Sequence, residues 1–284
     1  MWTEDRVQRA ACAYRAGSPG ALRCFGPLPP LPGAPPASGR WSFPSPARDE
    51  LLSVRVFPAP ASPRGIALLV PPWKIRDVRL LAGWSRLLKR AGRDVWLYVP
   101  PHHLERATGS RSGEAFLTPD LQALRATVEQ VVLELRLLVA AAAERGPVAL
   151  VGLSLGALTG ALAATAPEEL DAAVLVAPPE LAVSLARTRI GDRYRSLAAR
   201  AGAPVPEPAL LEEALAPFSP ARRAPNVRRA LIAAGRHDII APPEAPLALA
   251  RAWGVEARVY PRGHLTLLLA CRQLRRDVAR FLAD

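Results

Sequence analysis

The sequence predicts an α/β fold, a doubly wound and mostly parallel sheet, on three observations. Short apolar runs recur as candidate strands at 66–70, 94–99, 148–152, 172–177, 229–234 and 255–260. Helical apolar periodicity fills the intervals, at about 77–91, 119–144, 154–165, 243–253 and 265–282. The run Val148-Ala149-Leu150-Val151 carries no polar residue, as a parallel strand covered on both faces requires.

Residues 1–48 are rich in Pro, Gly, Ala and Arg and read as an irregular N-terminal arm, with a short helix near 5–14. Composition does not choose between an arm that wraps the domain and one that makes dimer contacts. The domain proper is expected over 49–284. Leu51 to Phe57 alternates as a first strand. Thr118-Pro119-Asp120 supplies an N-cap and a first-turn proline for the long helix. The stretch at about 178–225 is punctuated by Pro204, Pro206, Pro208, Pro217, Pro220 and Pro225. It reads as a cap insertion carrying short helices such as 207–216. No internal repeat is visible.

Gly152-Leu153-Ser154-Leu155-Gly156 is a G-x-S-x-G pentapeptide. An apolar strand precedes it, and a helix striped by Ala157, Leu158, Ala161 and Leu162 follows. A nucleophile elbow needs that context. Its serine sits at positive φ so that the hydroxyl stands above the sheet, and flanking glycines remove the Cβ atoms that would collide. The segment resembles the α/β-hydrolase superfamily. The resemblance implies the α/β-hydrolase fold and a serine nucleophile followed in chain order by an acid and a histidine.

Both partners are present. Arg229 to Ala234 reads as a buried strand that runs into Gly235-Arg236-His237-Asp238. Val255 to Tyr260 alternates as a strand and ends at Pro261-Arg262-Gly263-His264. Ser154, Asp238 and His264 therefore all lie past C-terminal strand ends, the edge where open α/β sheets bind ligands. Their spacings, 238 − 154 = 84 and 264 − 238 = 26, suit the superfamily's order, and G-R-H-D-x-I and G-H-L resemble its phrases. A serine hydroxyl is a weak nucleophile until a base takes its proton, here His264, and Asp238 would orient the imidazole. Taken singly, Ser154 would serve as a turn residue, Asp238 as a helix N-cap and His264 as a core histidine. The joint pattern favours the triad. His237 reads as structural.

The oxyanion hole is expected to use the amide of Leu155 and one from the loop after strand 66–70. That loop reads Pro71-Pro72-Trp73-Lys74 where many hydrolases have His-Gly. Proline has no N–H, so Trp73 is the first residue able to donate. Its indole walls the acyl pocket or packs the core; the sequence leaves both open. His102 and His103, in Pro100-Pro101-His102-His103-Leu104-Glu105-Arg106, are candidate substrate contacts, with loop structure the alternative. Adjacent histidines on one loop do not suit a single metal ion, so no metal and no cofactor is expected. This stretch, with Gly109 to Phe116, resembles a loop of a poorly characterised group of α/β-hydrolase domain proteins.

Fifty per cent hydrophobic content over 284 residues suffices for one sizeable domain. The net charge of +12 comes from dispersed arginines, with Lys74 and Lys89 the only lysines. With no nucleic-acid-binding motif, that pattern reads as coding bias rather than a nucleic-acid partner. It leaves association with an anionic lipid surface open. Cys12, Cys24 and Cys271 form no C-x-x-C, so neither a zinc site nor a disulfide framework is expected. With no membrane-length apolar run and no signal-peptide pattern, a reducing cytoplasm fits. The expected activity is hydrolysis of a small-molecule or lipid-like carboxylic ester through an acyl-enzyme. Acyl transfer with the same residues, a haloperoxidase-like side reaction and a non-catalytic binding module are the alternatives. Dimerisation stays open.

Overall fold

The computed structural model describes residues 22–31, 33–60 and 62–283. An eight-stranded sheet runs in the order β1-β2-β4-β3-β5-β6-β7-β8. Its strands are β1 (Gly39–Pro44), β2 (Leu51–Phe57), β3 (Ile66–Val70), β4 (Asp94–Val99), β5 (Val148–Leu153), β6 (Leu170–Val176), β7 (Val227–Gly235) and β8 (Ala257–Tyr260). The β1–β2 and β2–β4 pairs are antiparallel, and all other pairs are parallel. Every residue of β3 and β5 is buried, which explains their unbroken apolar sequences.

Nine α-helices are described: α1 (Ala82–Arg90), α2 (Leu121–Ala143), α3 (Leu155–Ala163), α4 (Leu181–Arg187), α5 (Arg189–Arg200), α6 (Pro208–Leu215), α7 (Glu244–Trp253), α8 (His264–Ala270) and α9 (Arg272–Ala283). Apolar faces of α2, α3 and α7, with residues of α4 to α6, form one core on one face of the sheet. Those of α1, α8 and α9 form the other. Asp120 caps α2 by accepting from Gln122 N (2.9 Å) and Ala123 N (3.1 Å), so Pro119 precedes the cap instead of sitting in the first turn.

The sequence-predicted arm holds a strand. β1 pairs along β2 because Trp41 reaches inward, 7% exposed, and packs on Phe43 and Trp96 at ring separations of 4.7 and 5.2 Å. The neighbouring prolines mask that alternation in the sequence. Arg136 of α2, buried, ties the preceding segment down by donating to the carbonyls of Cys24 and Gly26 while paired with Glu168. The short helix expected near 5–14 and Cys12 lie outside the described residues. Burial pushes the Cys24 thiol up to about 12.

The helix expected over 265–282 is broken at Cys271, whose backbone is extended. Two side chains take the carbonyls that a continuous helix would use. Trp84 Nε1 donates to Leu268 O (2.8 Å), and Arg275 Nη2 donates to Leu269 O (2.6 Å). The restart is helped by Leu274 N donating to Cys271 Sγ (3.5 Å). Residues 178–225 carry α4 to α6, and fully buried Tyr194 of α5 donates its hydroxyl to Pro119 O (3.2 Å). Among the described residues, no helix is long and apolar enough to cross a membrane.

Candidate active site

Five non-glycine residues with positive φ are described: Lys74, His102, Leu104, Ser154 and Ala177. Each lies just past the C-terminal end of β3, β4, β5 or β6. Backbone strain is thus gathered on one edge of the sheet, the edge where the sequence places the site. Ser154 has φ 53° and ψ −115°, the sharp turn expected between β5 and α3. The turn closes because Gly152 and Gly156 have no side chains. A Cβ on Gly152 would lie 2.4 Å from Gly156 O, and one on Gly156 would lie 2.3 Å from Val70 O. The second contact presses the start of α3 against the end of β3, bringing the Leu155 amide toward the Pro71–Lys74 loop.

The structure brings Ser154, His264 and Asp238 together. Ser154 Oγ is 2.8 Å from His264 Nε2, and His264 Nδ1 is 2.7 Å from Asp238 Oδ2. All three are buried, at 7%, 8% and 4% exposure, so water does not dilute these contacts. Asp238 is fixed on its other oxygen: Oδ1 accepts from Ile240 N (2.9 Å) and Ala241 N (2.8 Å). Beyond the strands, Arg236 N donates to Tyr260 O (2.8 Å) and His237 N donates to Arg262 O (3.1 Å). This continued pairing of the β7 and β8 ends sets the Asp238 loop beside the start of α8, where His264 is the first residue. His237 itself is exposed and enters through its backbone alone.

Leu155 N and Trp73 N, the two expected oxyanion donors, bond to no acceptor among the described residues. The next amide along is engaged: Lys74 N donates to His103 Nε2 (3.0 Å). His103 Nδ1 in turn donates to Pro101 O (2.8 Å). Because Nε2 must accept the amide proton, the ring is neutral with its proton on Nδ1. Burial drives its pKa down to about 4. The same loop grips twice more: Trp73 Nε1 donates to Gly113 O (2.6 Å), and Ser112 Oγ donates to Ile75 O. The Trp73 ring is half-buried against the core, with Lys74 Nζ 4.9 Å and Arg193 Cζ 5.9 Å from it.

Of its two expected readings, substrate contact and loop structure, His103 takes the second and acts as a clamp. It has no exposed surface, and both ring nitrogens are bonded to backbone. His102 is half-buried; its own carbonyl accepts from Gly113 N (2.6 Å), and burial lowers its pKa with Glu50, Arg48 and Arg106 as charged neighbours. The loop is anchored from below. Arg106 pairs with Glu134 of α2 through both terminal nitrogens (2.7 and 2.8 Å) and donates to Val99 O (2.9 Å). Glu134 is fully buried and also accepts from Tyr98 Oη (2.5 Å) and Ser45 Oγ (2.6 Å). In the sequence its only signal is a carboxylate inside the apolar run of α2. Among the described residues, no three His, Cys, Asp or Glu side chains are grouped to hold a metal ion.

Sheet order, elbow and the hydrogen-bonded serine, histidine and aspartate define an α/β hydrolase. The model of the family described as serine hydrolase matches residues 99–268, a span that contains Ser154, Asp238 and His264. The chain belongs to that family. No curated protein matches it significantly. Among solved structures it is similar to a highly thermostable carboxyl esterase from Bacillus coagulans in complex with glycerol (TM-score 0.60, 15% identity, covering 88% of this chain and 97% of that one). It is similar also to a monoacylglycerol lipase from Paleococcus ferrophilus (TM-score 0.57, 19% identity, 82% and 98%). A third is an acetyl xylan esterase from Paenibacillus sp. R4 (TM-score 0.60, 14% identity, 99% and 95%). At these identities the likeness is one of fold.

Proposed function

We propose that this serine hydrolase cleaves carboxylic esters through a Ser154–His264–Asp238 triad and an acyl-enzyme intermediate. The observation that carries the reading is the unbroken line from Ser154 Oγ to His264 Nε2 (2.8 Å) and from His264 Nδ1 to Asp238 Oδ2 (2.7 Å), ending on a serine at positive φ. His264 takes the hydroxyl proton as Ser154 Oγ attacks the ester carbonyl. Asp238 stabilises the imidazolium, which then protonates the departing alcohol. Water, deprotonated by His264, releases the acid and restores the serine.

The Leu155 and Trp73 amides would hold the oxyanion. One such donor contributes about 10²–10³ in rate, so the loop that carries Trp73 has to be held in place. The His103 bond to Lys74 N and the Trp73 bond to Gly113 O do that from both sides of the Trp73–Lys74 peptide. Beside the elbow, Val70, Pro71, Phe116, Val131, Leu155 and Thr159 line an apolar crevice too narrow to admit a water molecule. In this reading α4 to α6 form the cap over the entrance. Turnover of p-nitrophenyl esters from acetate to palmitate tests this reading. Turnover of at least one of these esters is expected, and no turnover at any length would overturn it.

A further inference from the structure

The edge of the sheet opposite Ser154 carries a second cavity of about 310 Å³, at the N-terminal ends of the parallel strands. Its polar lining is Arg64, Arg93, Asp171, Arg228 and Arg229, with the Pro147 backbone between them. Arg93 is 6% exposed. Its Nη1 donates to Pro147 O (3.0 Å), and its buried Nε has no partner. The fit depends on Gly65, at φ 140°. A Cβ there would lie 2.1 Å from Pro147 O and 3.0 Å from Arg93 Nη1.

The charges in this cavity do not balance. Arg228 is paired with Glu169 (3.0 Å) and approaches Asp171 (3.7 Å). Asp171 directs its other oxygen to Val148 N (2.7 Å). Arg229 donates to a carbonyl, Phe281 O (3.0 Å). Arg64, Arg93 and Arg229 thus make no ion pair among the described residues, and Arg93 is largely covered. Asp171 acts on Arg93 from beyond ion-pair distance and is shared with Arg228, so the cluster stays net positive and favours an anion. Ala91 and Ala283 also border an adjoining groove whose charged lining is arginine alone, so the field stays positive on that side.

We propose that this cavity binds a small phosphoryl anion, such as pyrophosphate or a phosphate monoester, away from the catalytic edge. Guanidinium groups match phosphoryl oxygens with paired, charge-assisted hydrogen bonds. Three of them around a space of this size suit a compact, multiply charged group. The phosphoryl group is either free or the headgroup of an anionic lipid.

The test titrates the full chain with sodium pyrophosphate by calorimetry, against potassium chloride of matched ionic strength. In parallel, the chain is sedimented with phosphatidylcholine vesicles with and without phosphatidic acid. The variants are Arg93→Met and the double substitution Arg64→Gln with Arg229→Gln. Turnover of p-nitrophenyl acetate reports their folding, since none of these residues touches the catalytic edge. One-to-one saturable pyrophosphate binding, weakened at least tenfold in the double variant with turnover unchanged, supports a free anion. Sedimentation only with phosphatidic acid, lost in the same variant, supports the headgroup as the source. Absence of both, or binding equally strong in the double variant, overturns the proposal whether or not Arg93→Met folds.

Discussion

His103 Nε2 accepts the amide proton of Lys74 at 3.0 Å, across two loops that follow different strands. The bond orients the peptide between Trp73 and Lys74, and it exists only while the imidazole is neutral. In the folded chain its pKa is driven down to about 4 from the ordinary 6.5. Below pH 6.5 the unfolded chain binds a proton at this residue that the folded chain refuses, so stability falls as pH drops toward 4. The full contribution is about 3 kcal/mol. Urea unfolding of the wild type between pH 7 and 4 is expected to show this decline. In His103→Gln the decline should be smaller by about that amount.

The same bond makes His103 a positioning residue. His103→Ala leaves the Lys74 amide without its acceptor and frees the Trp73 peptide to turn. A displacement near 1 Å at such a site costs about 10² in rate. The expected result is kcat lower by 10- to 100-fold, with KM nearly unchanged and the fluorophosphonate probe still attached at Ser154. Loss of labelling along with kcat would mean that His103 supports the whole fold and not this loop in particular.

Asp238 holds His264 Nδ1 at 2.7 Å while its other oxygen is fixed by two backbone amides. Asp238→Asn keeps the shape but presents an N–H or a weaker acceptor to the imidazole, favouring the wrong tautomer. Ester turnover is expected to drop by about 10⁴, with the melting temperature little changed. A drop below tenfold would place the histidine's support elsewhere.

Gly156 has no room for a side chain, because a Cβ would lie 2.3 Å from Val70 O and 2.6 Å from Pro71 O. Gly156→Ala must push α3 away from β3 and part the Leu155 amide from Trp73. Overpacking of this kind typically costs about 1–3 kcal/mol. Chemical denaturation is expected to show that loss, with activity reduced well beyond it. An alanine variant with wild-type stability and rate would contradict the close approach.

Much of this site is legible in the sequence because each member sits beside a local signal. Ser154 has its glycines, and Asp238 and His264 each follow an apolar strand. A strand of one length feeding one turn settles where the side chain ends up. The roles of His103 and Glu134 are not legible in that way, because their partners lie far off in sequence. Lys74 is 29 residues from His103, and Arg106 is 28 from Glu134. The pair His102-His103 leaves substrate contact and loop structure both open, because polar residues at a strand end usually face the site. The break at Cys271 is hidden for the same reason. One of the two side chains that take the freed carbonyls is Trp84, 184 residues from Leu268. Strand β1 was obscured locally, by prolines on either side of one inward-facing tryptophan.

The central claim is that Ser154 is the nucleophile. Its most direct test is to treat the purified chain and Ser154→Ala with a fluorophosphonate probe and locate the adduct by peptide mass spectrometry. A single adduct on the peptide that contains Ser154, absent from the alanine variant together with ester turnover, is the expected result. A folded wild-type chain that takes up no probe, or an alanine variant that still turns over ester at the wild-type rate, would contradict it.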